Sequence, residues 1–300
     1  MSTTIWRFTD GKAGHDNQTR GLVQALGERL QTAVSELDVT GFGSTLTDLC
    51  SRRYRPGRHL PDPDLLVGAG HATHWHLLAA RRARGGRIIV LMKPSLPLSW
   101  FDLCLVPVHD NPPAVANLLP TRGVLNTIRP GSAHDANTGL IVVGGPSRHF
   151  RWSDDLLLNR IEALLQARSC SRWILTTSRR TPASLAGRLA GLANVEYVPF
   201  ASTDSDWLPA RLAEAGEVWV SEDSVSMLYE ALSSGAQVGL LGVSRAASVN
   251  RVSNGIGALV ADGLVAAPGD DWQLPACRQP PLDEAGRCAD WIADQWLNAS

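Results

Sequence analysis

At 300 residues with 44% hydrophobic content, the chain exceeds the usual size of a single core, so two domains are the default and each can bury its own. A formal net charge of −1 and a pI near 6.7 remove the electrostatic case for nucleic-acid binding, and no basic run approaches a tail or localisation signal. Five cysteines, odd in number and without CxxC spacing, argue against a disulfide framework or structural zinc and fit a reducing, cytoplasmic compartment.

The amino terminus shows no secretory pattern, and no run approaches the roughly 18 apolar residues of a membrane span, so the chain is expected to be soluble or peripheral. Ten tryptophans, dispersed from Trp6 to Trp296, read as packing residues rather than as a membrane-facing belt.

Ile5–Phe8 reads as a strand, Thr9–His15 as a glycine-punctuated turn, and Asp16–Leu30 as a helix with Leu22, Val23, Leu26 and Leu30 inward. Gly11 and Gly14 permit close backbone approach to a ligand, and Lys12, His15, Asn17 and Gln18 add polar chemistry that a bland turn does not need. Further strands are expected at Val34–Val39, Asp64–Gly68, Arg87–Leu91 and Phe101–Pro107, with Leu125–Ile128 closing the domain. In a parallel sheet the loops after these strands open on one edge, which gathers Asp10, His15, His71, Lys93, His109 and Asp110 into a polar rim. His71, His74 and His76 lack a carboxylate or cysteine at ligand spacing, so no metal site is read there.

Arg129–Gly139 is rich in proline and glycine and marks the boundary, giving domains over 1–132 and 133–282. Leu140–Val143 is a buried strand ending in Gly144-Gly145-Pro146-Ser147-Arg148-His149, and Trp173–Thr177 is another ending in Ser178-Arg179-Arg180. Arginine forks and backbone N–H groups delivered to one sheet edge suit a diphosphate. A strand at Val195–Phe200 and a helix at Leu208–Ala215 lead to a βαβ unit over Val218–Val243. In that unit Ser221–Ser224 supply helix-capping oxygens, and Val225, Leu228, Tyr229 and Leu232 form the buried stripe. Such a helix start suits a phosphate, and Glu230 one turn on can accept both hydroxyls of a ribose. Gly255–Leu259 is read as loop or edge structure. Asp283–Leu297 is a final helix, with Cys288, Ile292 and Trp296 in one stripe, able to reach back to the first domain.

Thr9–Leu22, the Phe101 to Asp110 segment, Gly144–Trp152, Thr177–Pro182 and Asp223–Met227 with Glu230 together resemble the bacterial family related to the plant mitochondrial-fission factor, often labelled a nucleoside-diphosphate-sugar epimerase. That family in turn resembles the GT-B glycosyltransferases, the class of the lipid II N-acetylglucosaminyltransferase and the Kdo transferase. The resemblance implies an α/β fold of two Rossmann-like domains with parallel sheets facing across a cleft. It also implies that Glu230 holds the donor ribose, that Ser224 and Ser226 hold its phosphates, and that the Asp10–His15 loop lies on the acceptor side.

The function expected is a metal-independent sugar transferase in cell-envelope glycoconjugate synthesis, with a nucleotide-diphosphate sugar as substrate, no cofactor, and a lipid-linked or glycan acceptor at the inner membrane. Gly144, Gly145, Ser147, Arg148, Ser178, Arg179, Ser224, Ser226 and Glu230 would bind the donor, and His15 or Asp10 would act as base. Lys12, Gly14, Asn17, Gln18, His71, Lys93, His109 and Asp110 would face the acceptor. A GT-B-like epimerase and a non-enzymatic membrane adaptor are the alternatives; the chain lacks the GxGxxG and Tyr-x-x-x-Lys pattern of a short-chain epimerase.

Overall fold

A computed structural model describes residues 2–41, 46–131, 134–147, 150–245, 251–269, 271–276 and 281–297. The chain divides into two compact units, one of residues 1–127 with 283–300 and the other of residues 128–282. The division falls before the Pro-Gly segment rather than at 132/133. Gly131 N–H donates to the Ser234 carbonyl at 2.8 Å, which ties that segment to the second unit.

The first unit runs β1 (Thr3–Thr9), α1 (Ala13–Gly27), β2 (Thr32–Asp38), α2 (Leu46–Ser51), β3 (Leu65–Ala69), α3 (His71–Arg84), β4 (Arg87–Leu91), β5 (Leu103–Pro107) and β6 (Leu118–Thr121). All six strands are parallel, in the order β2, β1, β3, β4, β5, β6. Strands buried on both faces must be continuously apolar, as Leu65–Ala69 and Leu103–Pro107 are. Alternate residues serve opposite layers. Ile5, Leu65, Val67 and Ile89 pack with Leu22 and Leu26, whereas Trp6, Phe8, Leu66 and Val90 pack with Leu77 and Tyr54. Because the chain turns back past β1 to place β3, the β1/β3 junction is the topological switch point.

The second unit contains β7 (Asp135–Val142), β8 (Phe150–Arg151), α4 (Asp154–Ala167), β9 (Arg172–Thr176), α5 (Ala183–Leu189), β10 (Glu196–Val198), α6 (Trp207–Glu214), β11 (Ala215–Ser221), α7 (Val225–Ser234), β12 (Gln237–Leu241), β13 (Ser244–Arg245) and α8 (Arg251–Ala261). Its parallel sheet has the order β10, β9, β7, β11, β12, and the switch point lies between β7 and β11. The short strands β8 and β13 pair antiparallel. The final helix α9 (Glu284–Ile292), followed by a π-helical turn at Ala293–Leu297, packs on the first unit. There Cys288, Ala289 and Ile292 join the cluster of Leu22 and Leu26, and Arg29 pairs with Asp290.

Several expectations shift. Residues Gly255–Leu259 are helical, not loop, because Ile256 and Leu259 stand three apart and both are buried, at 1% and 5% exposure, which outweighs the glycine penalty. Leu125 and Ile128 are buried and the first unit's main segment closes at Thr127 as expected, while a sixth strand not read in the sequence, β6, precedes them. Helix α1 begins at Ala13, so Gly14 and His15 belong to its first turn rather than to the loop.

His74 is buried against the Phe101 ring, 5.4 Å between centroids, with Ser95 Oγ 3.3 Å from Nδ1. Burial, with His71 nearby, pushes its imidazole down to about 4. The unfolded chain therefore takes up a proton below pH ~6.5 that the folded chain refuses until about 4, so stability falls as pH drops through that window, by about 3 kcal/mol in all. Melting temperatures followed from pH 7 to pH 4 should fall less steeply for His74→Leu than for the parent protein.

Candidate functional site

At the switch point of the first unit, β1 ends at Thr9 and β3 at Ala69, so Asp10 and Gly70 emerge side by side. The Asp10 carboxylate is almost fully buried, and both its oxygens lie 3.0 Å from His15 Nδ1. A carboxylate only accepts, so Nδ1 carries the hydrogen, which in the neutral imidazole leaves Nε2 as the acceptor. Lys12 Nζ stands 3.6 Å from the same carboxylate and is itself exposed. Gly70 has φ +82°, and a Cβ there would lie 2.3 Å from His15 Cε1 and 3.0 Å from Asp10 Oδ2. A glycine is required both by the backbone and by the ring packed on it.

The buried Arg7 of β1 holds the start of α1 in place, pairing with Asp16 and, at 2.7 Å, with Glu36, while its Nη1 donates to Thr19 Oγ1 at 3.1 Å. Gln18, also buried, donates to the Gly14 carbonyl at 3.2 Å and approaches Met92 Sδ at 3.4 Å. Met92, directly after β4, has φ +69°, a conformation that costs energy for a side chain of its size.

Other residues of the expected rim take more peripheral places. Asn17 Oδ1 accepts from Thr127 Oγ1 at 3.1 Å, His71 opens α3 with its side chain exposed, Lys93 is exposed, and His109 and Asp110 form a half-buried turn after β5. All follow strands of one parallel sheet and so share its carboxyl edge, where Asp10, Lys12, His15 and Gly70 meet in a cluster. Among the described residues no three His, Cys, Asp or Glu side chains converge as metal ligands.

The second unit has its own cluster at the β7/β11 switch point. Asp223, whose side chain is fully buried, accepts from Gly145 N–H at 2.9 Å, from Ser221 Oγ at 2.7 Å and from Arg180 Nη2 at 2.9 Å. Gly144 N–H donates to Ser221 Oγ at 2.7 Å, and Arg180 Nη1 donates to the Gly145 and Pro146 carbonyls at 2.7 and 3.1 Å. Thr181 Oγ1 donates to the Val143 and Gly144 carbonyls and accepts from Ser178 N–H at 2.9 Å. A Cβ on Gly144 would lie 2.2 Å from Asp223 Oδ2, so the loop closes only with glycine. The two glycine amides are thus engaged within the protein instead of being held ready for an anion.

The open donors are elsewhere. Ser224 is the N-cap of α7, yet its side chain makes no capping bond, so the first-turn amides of this ten-residue helix have no side-chain cap. Ser226 Oγ donates to Glu230 Oε1 at 3.2 Å, which sets the hydroxyl and carboxylate together one turn into α7. Arg179 turns from the cluster and lies 5.8 Å from the centroid of Phe200, an aromatic ring 43% exposed just after β10. Ser147 is half-buried and bridges to Phe150; Arg148 lies outside the described residues.

Sequence reasoning singled out the Ser221–Ser224 and Ser178–Arg180 segments but not that Ser221, Asp223, Arg180 and Thr181 bond across three loops, and it did not single out Phe200. The legible signal was a pair of small polar residues past a central strand, opposite a Gly-Gly turn, but it reads equally as helix capping.

Two units, each with a parallel, doubly wound sheet and a polar cluster at its switch point, define the GT-B type of α/β architecture. The chain belongs to the mitochondrial fission ELM1 family, whose model matches residues 13–296. An uncharacterised protein of Rickettsia prowazekii is 23% identical over 295 aligned positions, spanning 77% of this chain and 81% of that one. Among solved structures, a Listeria monocytogenes protein provisionally assigned as a UDP-N-acetylglucosamine 2-epimerase superposes with a TM-score of 0.63 at 11% identity, over 100% of this chain and 98% of that one. The calicheamicin glycosyltransferase CalG4 superposes with a TM-score of 0.52 at 14% identity, over 98% of both chains.

Proposed function

We propose that the protein is a glycosyltransferase that takes a nucleoside-diphosphate sugar on its second unit and uses a base on its first. The observation that carries this reading is the presence of two different polar sites at the two switch points: an uncapped helix start with a Ser226–Glu230 pair, and an Asp10–His15 dyad. The α7 amides and Ser224 suit the diphosphate, Glu230 the ribose hydroxyls, and the Phe200 face with Arg179 a flat surface for the nucleobase. Helix terminus and arginine then fill the charge-stabilising role without a metal ion. His15 Nε2 accepts the proton of an acceptor hydroxyl, the oxygen bonds to the anomeric carbon, and the bond from that carbon to the diphosphate breaks. The glycosyl transfer named for CalG4 and the UDP-sugar named in the assignment of the Listeria protein support the donor class.

A lipid-linked or glycan acceptor in cell-envelope synthesis, at the cytoplasmic face of the inner membrane, completes the reading. An epimerase on the same fold is the second reading, supported by the likeness to the Listeria protein. Consumption of a nucleotide sugar with no acceptor present would favour it.

Calorimetric titration of nucleoside-diphosphate sugars tests the donor site. Glu230→Ala removes a charge-assisted hydrogen bond worth roughly 1.5–3 kcal/mol and should weaken binding about ten- to a hundredfold. Wild-type affinity in that variant would remove Glu230 from the ribose, and absence of binding by the parent protein to any such sugar would favour the adaptor reading.

A further inference from the structure

The first unit bears an aromatic and basic surface that the proposed chemistry leaves unused. Trp75 on α3 and Trp100 in the β4–β5 connection are 36% and 41% exposed, and their rings meet edge to face at 6.0 Å. The leucines of these elements, Leu77, Leu78, Leu96 and Leu98, pack on the core, so two neighbouring indoles left in water ask for an explanation. Arg81 Nη2 donates to the Trp100 carbonyl at 3.0 Å, and Asn117 Nδ2 donates to the Leu98 and Phe101 carbonyls at 2.8 and 2.9 Å, bringing in Val115, which is 43% exposed.

Its charge is one-sided in a chain that is balanced as a whole. Between Asp64 and Asp102 the sequence has no carboxylate but five cations. Three are engaged: Arg81 with Asp102, Arg84 with Asp62, and Arg87 over the Trp296 ring. Arg82 and Lys93 are exposed and have no ion-pair partner among the described residues. Seven residues separate Arg82 from Trp75, which puts both on one face of α3, and the Lys93 loop is joined to α3 where Ser95 meets His74.

We propose that this surface docks the protein on an anionic phospholipid bilayer, with Trp75 and Trp100 in the headgroup layer and Arg82 and Lys93 on the lipid phosphates. Indoles favour that layer because one edge is apolar and the other donates a hydrogen bond, and a bilayer accepts a ring pair without needing a complementary pocket. Unpaired cations add about 1 kcal/mol each near an anionic leaflet, close to fivefold in binding. The docking assignment does not depend on the nucleotide reading.

Flotation of the full chain with vesicles tests it. The protein should float with vesicles of phosphatidylcholine containing phosphatidylglycerol, stay behind with phosphatidylcholine alone, and be released by added salt. Trp75→Ser with Trp100→Ser should reduce flotation by roughly tenfold or more. Arg82→Glu with Lys93→Glu, which leaves the indoles in place, should reduce it by at least about 25-fold. If the tryptophan variant melts far below the parent, the charge-reversal pair decides alone. Absence of flotation by the parent, or parent-like flotation of the charge-reversed protein, overturns the assignment. So does a size-exclusion profile in which the tryptophan changes convert a dimer to a monomer while lipid binding is unmoved, since the surface would then be covered by a second copy. Loss of flotation with intact donor binding would separate this surface from the nucleotide site.

Discussion

His15→Ala is expected to lower turnover by roughly 10²–10⁴ at saturating donor while leaving donor affinity nearly unchanged. The expectation follows from where the ring is held. Asp10 takes the Nδ1 hydrogen at 3.0 Å, so the proton-accepting Nε2 is the atom left for a substrate hydroxyl. The described neighbours of the ring are Asp10 and Gly70, both of the first unit, and the residues assigned to the donor belong to the second. Asp10→Asn can present its amide to the ring and so reverse the tautomer, which should lower turnover by a similar factor without unfolding the loop. Gly70→Ala should do the same by displacing the ring, because its Cβ would lie 2.3 Å from Cε1 and the backbone sits at φ +82°. Steady-state kinetics with saturating donor, paired with calorimetry, distinguishes the roles. Unchanged turnover in His15→Ala would remove it as base and leave Asp10 or Asp110; equal loss of donor affinity would place it on the donor.

Asp223→Ala should cost about 2–4 kcal/mol of stability and abolish measurable donor binding. A fully buried carboxylate with three charge-assisted bonds would ordinarily be worth 3–5 kcal/mol when one side is removed, but Arg180 is 42% exposed and can be resolvated, so the lower figure applies. Left behind are the Gly145 N–H and the Ser221 hydroxyl, both buried and without this acceptor. Because Asp223 joins the turns after β7, β9 and β11, its loss should also release the start of α7. Thermal unfolding should show a fall in Tm of roughly 5–15 °C. Asp223→Asn keeps one acceptor and should lose less. An unshifted Tm in the alanine variant would mean that the loops are held by Thr181 and backbone contacts instead.

Local sequence determined the strands and their order of appearance. Runs such as Leu65–Ala69, Arg87–Leu91 and Gln237–Leu241 can only be satisfied in a sheet covered on both sides, and covered parallel strands put every following loop on one edge. That is why Asp10, His15, Gly144, Ser224 and Glu230 were legible as edge residues, and why the motifs sufficed to suggest the family. Periodicity was weaker where small residues dominate. Gly255 and Gly257 look like breakers in isolation, yet burial of Ile256 and Leu259 makes their segment a helix.

Tertiary structure alone decided which polar groups are spent and which remain. The amides of Gly144 and Gly145 look available in sequence, but Ser221 and Asp223, nearly eighty residues away, engage both through the β7/β11 pairing. Of two adjacent arginines, Arg180 enters that network and Arg179 does not, a choice made by the direction of the turn. Ten tryptophans read as uniform packing, and most are, but Trp75 on α3 and Trp100 in the β4–β5 connection stand outside the core, their rings against each other and exposed. The dyad likewise depends on Gly70 arriving beside Asp10, which follows from β3 pairing with β1 rather than with β2, a pairing that no local pattern encodes because it is set by the crossover of the intervening chain.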